Sequence, residues 1–237
     1  MVITIPHFAS ERQGVRHFFG TRMQGLAPVF AAPSVVSVNQ VHGTEVLVVD
    51  RPVLGAPSFD GGWDALVTNQ AGVLLTVKTA DCVPVLIHDP CTRVVAAVHA
   101  GWRGAVAGII PRTVEVMRKQ FKSQPASLRL SIGPAAGVCC YEVDEPVLDR
   151  LRESYPAWRT VIKNTGPGKA KLNLRGLVRG QAVQAGVPEG GIYSVSLCTI
   201  CHTTLFHSYR REGTARGTMV SGIMLVLHRA SGKRRAN

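Results

Sequence analysis

Short apolar runs, separated by polar or glycine-containing turns, recur along the chain as far as about residue 228. Residues 34–50 predict two strands on either side of the turn HGTE, because valine dominates both runs and Gly43 suits a turn. Residues 73–98 predict three more strands, separated by the turns TADC and HDPCTR. These runs are apolar at most positions, so we expect the strands to be buried on both faces.

A helical spacing replaces this pattern after Gly104. In residues 105–121, apolar side chains recur at intervals of three and four residues and form one face of a helix. These side chains are Ile110, Val114, Met117 and Phe121. Pro111 lies inside the same segment, and we expect it to kink or restart the helix.

Two more helices and several strands are predicted in the second half of the chain. Residues 144–154 predict a helix capped by Asp144, and residues 172–187 predict a helix that ends near Gly186. The remaining apolar runs predict strands at residues 127–134, 191–199 and 221–228. Successive strands with helices between them predict an α+β fold with mixed sheets. Because no repeat or low-complexity linker interrupts the pattern, we expect one domain over residues 1–237.

The composition argues against disorder and against a membrane-embedded protein. Of the 237 residues, 46% are hydrophobic and only 18% are charged, which is typical of a globular domain with a sizeable core. No segment approaches the roughly 18 uninterrupted apolar residues of a membrane helix, and no secretion signal is evident. We therefore expect a cytoplasmic protein without membrane contact. Its six cysteines are then expected to serve thiol chemistry or metal binding rather than disulfides.

The formal net charge of +12 is compatible with anionic partners such as nucleotides, phosphate or nucleic acid. Part of the excess lies in the tail, residues 229–237, which we expect to be disordered and solvated. A basic nucleic-acid-binding protein is one alternative. Aromatic residues make up only 6% of the chain, however, and no nucleic-acid motif is present. We therefore expect no specific nucleic-acid partner.

Three residues able to bind a metal, His42, Cys82 and His99, each lie where an apolar strand gives way to a polar or glycine-rich turn. Loops at strand ends bring together side chains from distant parts of a chain. Two imidazoles and one thiolate suit zinc or copper, and such a set leaves a fourth tetrahedral position for water or substrate. A metal-free alternative makes Cys82 a thiolate nucleophile and His99 its base. The second imidazole favours the metal, because a thiol hydrolase has less use for it.

Arginines near turns are candidates for binding an anion. Arg103 follows Trp102 in the motif GWRG, where its planar guanidinium could bind phosphate and the glycines would let a ligand approach the backbone. Arg210 and Arg211, in the motif SYRREG, could bind phosphate in the same way. The alternative for all three arginines is a solvated or salt-bridged surface position.

The other cysteines are weaker metal candidates. The motif CTIC, which contains Cys198 and Cys201, is followed by His202 and could be half of a zinc site. A structural zinc site needs four ligands, however, and no second pair with standard spacing is present. Cys139 and Cys140 are adjacent and are expected to point in different directions. We therefore predict packing or loop roles for these four cysteines, with sensitivity to oxidation as the alternative.

Five ordered motifs are similar to those of one known family. They are NQVHGTEV, TADCVPVLIHDP, VAAVHAGWRG, SIGPAAGVCCYEV and CTICHTTLFHSYRREG. From about residue 17 to residue 228 the chain resembles the bacterial laccase-domain family, also called polyphenol oxidases or purine nucleoside phosphorylases. The resemblance implies an αββα layering of mixed sheets and a pocket that holds a metal, usually zinc. The metal ligands implied by the resemblance are His42, Cys82 and His99.

The resemblance also implies an activity. Family members are described as acting on purine nucleosides, by phosphorolysis of adenosine, inosine, guanosine and methylthioadenosine and by hydrolytic deamination of adenosine. An older description, copper-dependent oxidation of phenols by a laccase-type oxidoreductase, is the alternative. For phosphorolysis, Arg103 is the first candidate for the anion site, with Asn39 and Gln40 as sugar or base contacts. We expect purine nucleosides and phosphate as partners, and a monomer or weak homo-oligomer.

Overall fold

Two β-sheets packed face to face form the body of the fold. The computed structural model describes residues 1–8, 14–23, 32–51, 59–213 and 217–226. The strands are, in chain order, β1 (Val2–Ile3), β2 (Val15–Gly20), β3 (Ser34–Val36), β4 (Val46–Val49), β5 (Ala65–Thr68), β6 (Val73–Thr79), β7 (Val83–Asp89), β8 (Val94–Ala100), β9 (Arg129–Ile132), β10 (Glu142–Asp144), β11 (Ile162–Gly166), β12 (Lys169–Leu172), β13 (Ile192–Ser194) and β14 (Met219–Leu225). The α-helices are α1 (Trp102–Val106), α2 (Ile109–Phe121), α3 (Glu145–Ser154), α4 (Leu174–Gln184) and α5 (Tyr209–Glu212).

Both large sheets mix parallel and antiparallel neighbours. Over the described residues, one sheet has the strand order β1-β2-β14-β6-β3, in which only β3 and β6 run parallel. The other has the order β13-β9-β7-β8-β5-β4, in which the two edge strands run parallel to their neighbours. A small third sheet, β10-β12-β11, was not predicted from the sequence. The predicted α+β fold with mixed sheets in a single domain is confirmed.

The central strands β7 and β8 are buried on both faces, as the sequence predicts. Successive side chains of a strand point to opposite faces, and here each face meets a different layer. Val85 and Ile87 pack against the helices, whereas Leu86, between them, packs against the five-stranded sheet. All four helices from α1 to α4 contribute to the cluster on the helix side. The six-stranded sheet is therefore covered by helices on one face and by the five-stranded sheet on the other, which is the helix-sheet-sheet part of the expected αββα layering.

The predicted long helix after Gly104 is two helices. Gly108, at φ 90°, occupies the left-handed region between α1 and α2, and this backbone conformation cannot continue an α-helix. Pro111 lies in the first turn of α2, where its missing N–H has no intrahelical partner to lose. The new helix therefore starts at Ile109, after Gly108, and Pro111 does not interrupt it.

The ends of the next two helices are close to their predicted positions. Asp144 does occupy the N-cap position of α3, but its side chain makes no capping hydrogen bond, so that part of the prediction is wrong. Helix α4 ends before Gly186, which adopts φ 94° as a left-handed helix terminator. No helix in the described part of the chain is both long and apolar enough to cross a membrane. The predicted disordered tail, 229–237, lies outside the described residues.

Candidate metal centre and cavity

Two loops and the end of strand β8 bring His42, Cys82 and His99 together. His42 lies in the loop between β3 and β4, Cys82 between β6 and β7, and His99 near the end of β8. One ligand atom from each lies within 4.8 Å of the others, a separation that one shared cation can bridge. We call these three residues the mixed-donor cluster. His42 is well beyond the last residue of β3, so its predicted position at a strand end is wrong.

The backbone is strained in both loops, the one that carries His42 and the one that carries Cys82. His42 itself adopts φ 62°, and Asp81, directly before Cys82, adopts φ 87°, a region that residues with a Cβ rarely occupy. The Asp81 carboxylate is buried and accepts hydrogen bonds from the Thr199 and Ser208 hydroxyls and from the Arg210 backbone N–H. These bonds hold the Cys82 loop in its strained shape.

A buried carboxylate, Asp64, orients two of the three ligands. Its Oδ1 lies 2.7 Å from His99 Nδ1 and accepts the backbone N–H of His42 at 2.9 Å. Its Oδ2 accepts the N–H of Gly43 at 2.6 Å. Because Asp64 uses Nδ1 of His99, the Nε2 of that ring is left to face the other ligands. A carboxylate behind a histidine is the usual support of a metal-binding imidazole.

Sequence reasoning missed Asp64. It directly precedes β5 in the stretch GGWDALVT, and a single acidic residue before an apolar strand carries no metal signal of its own. The signal that could have found it is physical. A carboxylate with no exposed surface needs several donors, and a nearby histidine is the natural one.

The cluster perturbs the titration of its own members. Burial alone raises the pKa of the Cys82 thiol, but hydrogen bonds to His42 and His99 outweigh it and lower the pKa to about 7. Burial alone lowers the pKa of His99, but hydrogen bonds to Asp64 and Cys82 outweigh it and raise the pKa to about 9. Cys82 therefore has substantial thiolate character near neutral pH, and thiolate is the form that binds metals.

The glycines of GWRG serve the cluster itself. A Cβ on Gly101 would lie 2.8 Å from His42 Cδ2 and 3.1 Å from Cys82 Sγ. A Cβ on Gly104 would lie 2.6 Å from the backbone oxygen of Gly43. At both positions these distances leave no room for a side chain. The sequence predicted that these glycines would let a ligand approach the backbone. In the structure they allow close packing against the loops that carry His42 and Cys82.

The mixed-donor cluster opens into a cavity of about 770 Å³, which we call the open cavity. This volume is in the range of small-molecule sites. Besides the cluster, its walls include polar and basic side chains that can contact a ligand. These are Asn39, Lys78, Arg103, Tyr141 and Arg210.

Comparison with known proteins places the chain in a family. A sequence model described as "Multi-copper polyphenol oxidoreductase laccase" matches residues 20–226. The chain belongs to this family. It is 38% identical over 198 residues to "Purine nucleoside phosphorylase YlmD" of Geobacillus stearothermophilus, covering 79% of this chain and 71% of that protein. It is 34% identical over 195 residues to "Adenosine deaminase RL5" from an unknown prokaryotic organism, covering 80% and 74%.

A solved structure supports the same assignment to the laccase family. The crystal structure of YlmD from Geobacillus stearothermophilus superposes with a TM-score of 0.81 at 28% sequence identity, and the superposition covers 94% of each chain. The resemblance that the sequence motifs indicated is therefore confirmed.

The predicted substrate contacts of this laccase-family chain divide into two groups. Asn39, Arg103 and Arg210 line the open cavity. Gln40 also lines it, but its side-chain amide exchanges two hydrogen bonds with the Lys78 backbone, Nε2 to O at 2.8 Å and N to Oε1 at 2.7 Å. Gln40 thus links strand β6 to the loop between β3 and β4.

Arg211 bonds to the protein itself, which is closer to the salt-bridged alternative than to phosphate binding. It is absent from the cavity wall, and its guanidinium donates to the backbone oxygens of Thr199, Ile200 and Phe206. It also pairs with Glu212 at 2.8 Å. With its donors used in this way, Arg211 is not retained as a substrate contact.

Four of the five remaining cysteines lie together. Cys139, Cys140, Cys198 and Cys201 form a second group, which we call the four-cysteine cluster, whose sulfurs all lie within 4.8 Å of one another. The prediction that Cys139 and Cys140 point in different directions is wrong, because both sulfurs approach Cys201 Sγ, at 3.5 and 3.2 Å. His202 is not a member, since its Nδ1 is hydrogen bonded to the Cys198 backbone oxygen.

Proposed function

We propose that this protein is a zinc-dependent enzyme that acts on purine nucleosides, by phosphorolysis and by hydrolytic deamination of adenosine. The observation that carries the proposal is the mixed-donor cluster at the base of an open cavity. The names of two relatives, a purine nucleoside phosphorylase and an adenosine deaminase, supply the substrate class. By the same analogy, adenosine, inosine, guanosine and methylthioadenosine are the nucleosides to test.

The residues present fit a catalytic zinc ion. His42, Cys82 and His99 offer two imidazole nitrogens and one sulfur, a set of three protein ligands that leaves a fourth position open. The buried Asp64 carboxylate fixes the orientation of His99 before any ligand binds. When bound, zinc supplies a redox-inert Lewis acid with an open coordination position next to the cavity.

Basic side chains in the cavity wall suit the second substrate, phosphate. Lys78, Arg103 and Arg210 all line the open cavity with the cluster. The Arg103 guanidinium stacks on the Trp102 ring, 4.4 Å from its centroid, which limits the positions that its donors can take. A planar guanidinium held in this way can bind phosphate with two parallel hydrogen bonds. We assign Arg103 to binding phosphate and Arg210 to the same anion-binding region of the cavity.

Asn39 and Tyr141 can hold the uncharged nucleoside. Burial raises the pKa of Tyr141 to about 12, so its hydroxyl stays protonated and can donate a hydrogen bond. Asn39 is exposed in the cavity and offers both a donor and an acceptor, which suits a ribose hydroxyl or a purine edge. In phosphorolysis a phosphate oxygen bonds to the ribose C1′ as the bond to the purine nitrogen breaks. In deamination water replaces the C6 amino group, which leaves as ammonia.

Product analysis tests this function. Purified protein is incubated with adenosine in the presence and absence of phosphate, and the products are separated. We expect inosine in both reactions, and adenine with ribose 1-phosphate only when phosphate is present. The Cys91→Ser variant is the matched control, because Cys91 is an exposed cysteine outside both clusters. If neither product exceeds that formed by a Cys82→Ala variant, the proposal fails.

Copper-dependent oxidation of phenols is the second candidate, because the family description names copper and a His₂Cys donor set also suits it. Within the described residues, however, the only other cluster of metal-binding side chains consists of four cysteines and contains no histidine. Oxygen uptake with a phenol distinguishes the two functions. We expect copper-loaded protein to consume no more oxygen than free copper does.

A metal-free thiol mechanism uses the same residues. Asp64, His99 and Cys82 form a hydrogen-bonded series that resembles an acid, a base and a nucleophile. His42 favours the metal, because its strained backbone brings a second imidazole to the Cys82 sulfur, and a thiol nucleophile does not need one. A His42→Asn variant separates the two mechanisms, because only the metal-dependent enzyme needs the second imidazole.

A further inference from the structure

The four-cysteine cluster joins two distant segments of the chain. Cys139 and Cys140 lie in the turn before β10, and Cys198 and Cys201 lie in the turn after β13. The two segments also meet in a β-bridge between Ala135 and Cys198. We propose that the cluster binds one zinc ion through its four thiolates, as a structural site separate from the catalytic one.

The sulfur geometry suits a tetrahedral ion. With zinc–sulfur bonds of about 2.3 Å, the sulfurs of a Cys₄ site lie roughly 3.8 Å apart. Here Cys201 Sγ lies 3.5 Å from Cys139 Sγ and 3.2 Å from Cys140 Sγ, and all four sulfurs lie within 4.8 Å of one another. These separations exceed the length of a disulfide bond of about 2.05 Å, so the cysteines are free thiols. Zinc binding displaces the thiol protons to solvent.

The backbone around Cys198 is arranged to hold a thiolate. The Gly137 N–H donates to Cys198 Sγ at 3.2 Å, and the N–H groups of Ile200 and Cys201 also donate to it. Gly137 has no room for a side chain, because its Cβ would lie 3.0 Å from Cys198 Cβ and 3.1 Å from Cys139 Sγ. Backbone donors around a sulfur stabilise its anionic form without competing for the metal.

Basic side chains surround the cluster and offset the charge of a zinc ion with four thiolates. Lys171 Nζ donates to the Cys139 backbone oxygen at 2.7 Å. The partly buried Arg175 donates to the Leu197 oxygen at 2.7 Å. Arg211 donates to the oxygens of Thr199 and Ile200, inside the CTIC turn. Four thiolates and one divalent ion carry a net charge of −2, and these cations lie beside both cysteine segments.

The site would support one wall of the open cavity. Tyr141 follows Cys140 directly and lines the cavity, and the Arg210 guanidinium lies 4.9 Å from its ring centroid. On the other segment, the Thr199 hydroxyl donates to the Asp81 carboxylate, next to Cys82. Zinc would therefore fix two loops that position cavity residues while remaining outside the chemistry. All four ligand positions are protein atoms, as in structural zinc sites.

Zinc content of purified chains tests the proposal. The Cys82→Ala variant removes a ligand of the mixed-donor cluster, so the zinc it retains reports on the four-cysteine cluster. We expect about one zinc ion per chain, released in step with titration of the thiols by a mercurial reagent. Cobalt loaded into the same variant should show the charge-transfer absorption of a tetrahedral thiolate site. Absence of zinc in Cys82→Ala, or cobalt without thiolate absorption, overturns the proposal.

Further variants locate the ion. In a Cys82→Ala background, adding Cys139→Ser and Cys201→Ser should abolish zinc retention and lower the midpoint of thermal unfolding. Adding Cys91→Ser should do neither. Because the triple variant could fail to fold, intact mass of the wild-type chain under non-reducing conditions gives an independent measurement. A mass lower by two hydrogens, with two fewer free thiols, would show a disulfide in place of the ion and overturn the proposal.

Discussion

The molecule carries two clusters of potential metal ligands that differ in donor set and in access. The mixed-donor cluster combines two imidazoles with one thiol and faces a cavity of about 770 Å³. The four-cysteine cluster offers sulfur alone, and none of its residues lines that cavity. A site with three ligands and an open side can admit a substrate, whereas a site with four ligands holds chain segments together. The number of cysteines in a cluster therefore does not indicate which cluster faces the cavity.

The supports of the two clusters also differ. Behind the mixed-donor cluster, the Asp64 carboxylate bonds an imidazole and the strained His42 loop. Around the four-cysteine cluster, backbone N–H groups and basic side chains contact the cysteine segments. The first arrangement fixes the direction of a ligand, and the second balances negative charge. Three of the variants below act on the mixed-donor cluster, and the fourth acts on the cavity wall.

The largest effect is expected from removing the thiolate ligand. Cys82→Ala should lower adenosine turnover by about 10³-fold or more, because a Lewis acid contributes several kcal/mol to such reactions. Turnover is measured beside Cys91→Ser, which should match the wild type. If Cys82→Ala keeps wild-type turnover, the two clusters do not differ in function as described.

Crowding the mixed-donor cluster should have the next largest effect. In Gly101→Ala the new Cβ would meet His42 Cδ2 at 2.8 Å and displace the loop. A displacement of about 1 Å at a reacting centre costs roughly 10²-fold in turnover. Gly190→Ala is the matched control, because no atom lies within 4 Å of the position of its Cβ. Equal turnover of the two alanine variants would contradict the close approach at Gly101.

Removing the negative charge of Asp64 should lower the metal affinity of the mixed-donor cluster without changing the shape of the side chain. Asp64→Asn keeps the shape of the side chain but loses the carboxylate that bonds His99 Nδ1 and the His42 N–H. Loss of such a support lowers metal affinity by about 10- to 100-fold. Competition with a chelator measures the affinity in a background lacking Cys139 and Cys201. An unchanged affinity would mean that Asp64 serves the fold alone.

The smallest effect is expected from the cavity wall. Arg103→Ala should raise the KM for phosphate by about 10-fold, since one charge-assisted contact contributes about 1.5–3 kcal/mol. Deamination, which consumes no phosphate, should keep its turnover number within about twofold of the wild type. The ratio of the two activities is therefore the readout. A fall of equal size in both reactions would place Arg103 at the nucleoside and not at phosphate.

The sequence predicted those parts of the structure that depend on local patterns. Strands β6, β7 and β8 follow from continuous apolar runs, and the end of α4 follows from Gly186. Sequence reasoning grouped His42, Cys82 and His99 because each lies beside a polar or glycine-rich turn, and the three residues do lie together. The small sheet β10-β12-β11 was missed because its strands are only three to five residues long, too short for the alternation in EVD or KAKL to stand out in the sequence.

Features that depend on distant contacts could not be predicted in the same way. Asp64 has its role only because β5 and β8 pair and bring it to His99. The four-cysteine cluster depends on the approach of two segments that lie far apart in the sequence. An adjacent pair such as Cys139 and Cys140 is also not one of the standard cysteine spacings that accompany a CTIC-type motif in zinc sites. Arg210 and Arg211 are adjacent in the sequence, yet their guanidinium groups donate to different backbone oxygens. Contacts between segments, rather than local composition, decide each of these cases.

Zinc titration of metal-stripped protein tests the central claim most directly. The wild-type chain is stripped with a chelator, and adenosine turnover is measured after each addition of zinc. We expect turnover to be near the level of Cys82→Ala at the start and to return to the original level as zinc is added. Cys82→Ala carried through the same titration, in which only the four-cysteine cluster can refill, should regain none. Full turnover by the stripped protein, before any zinc is added, would contradict a catalytic metal at His42, Cys82 and His99.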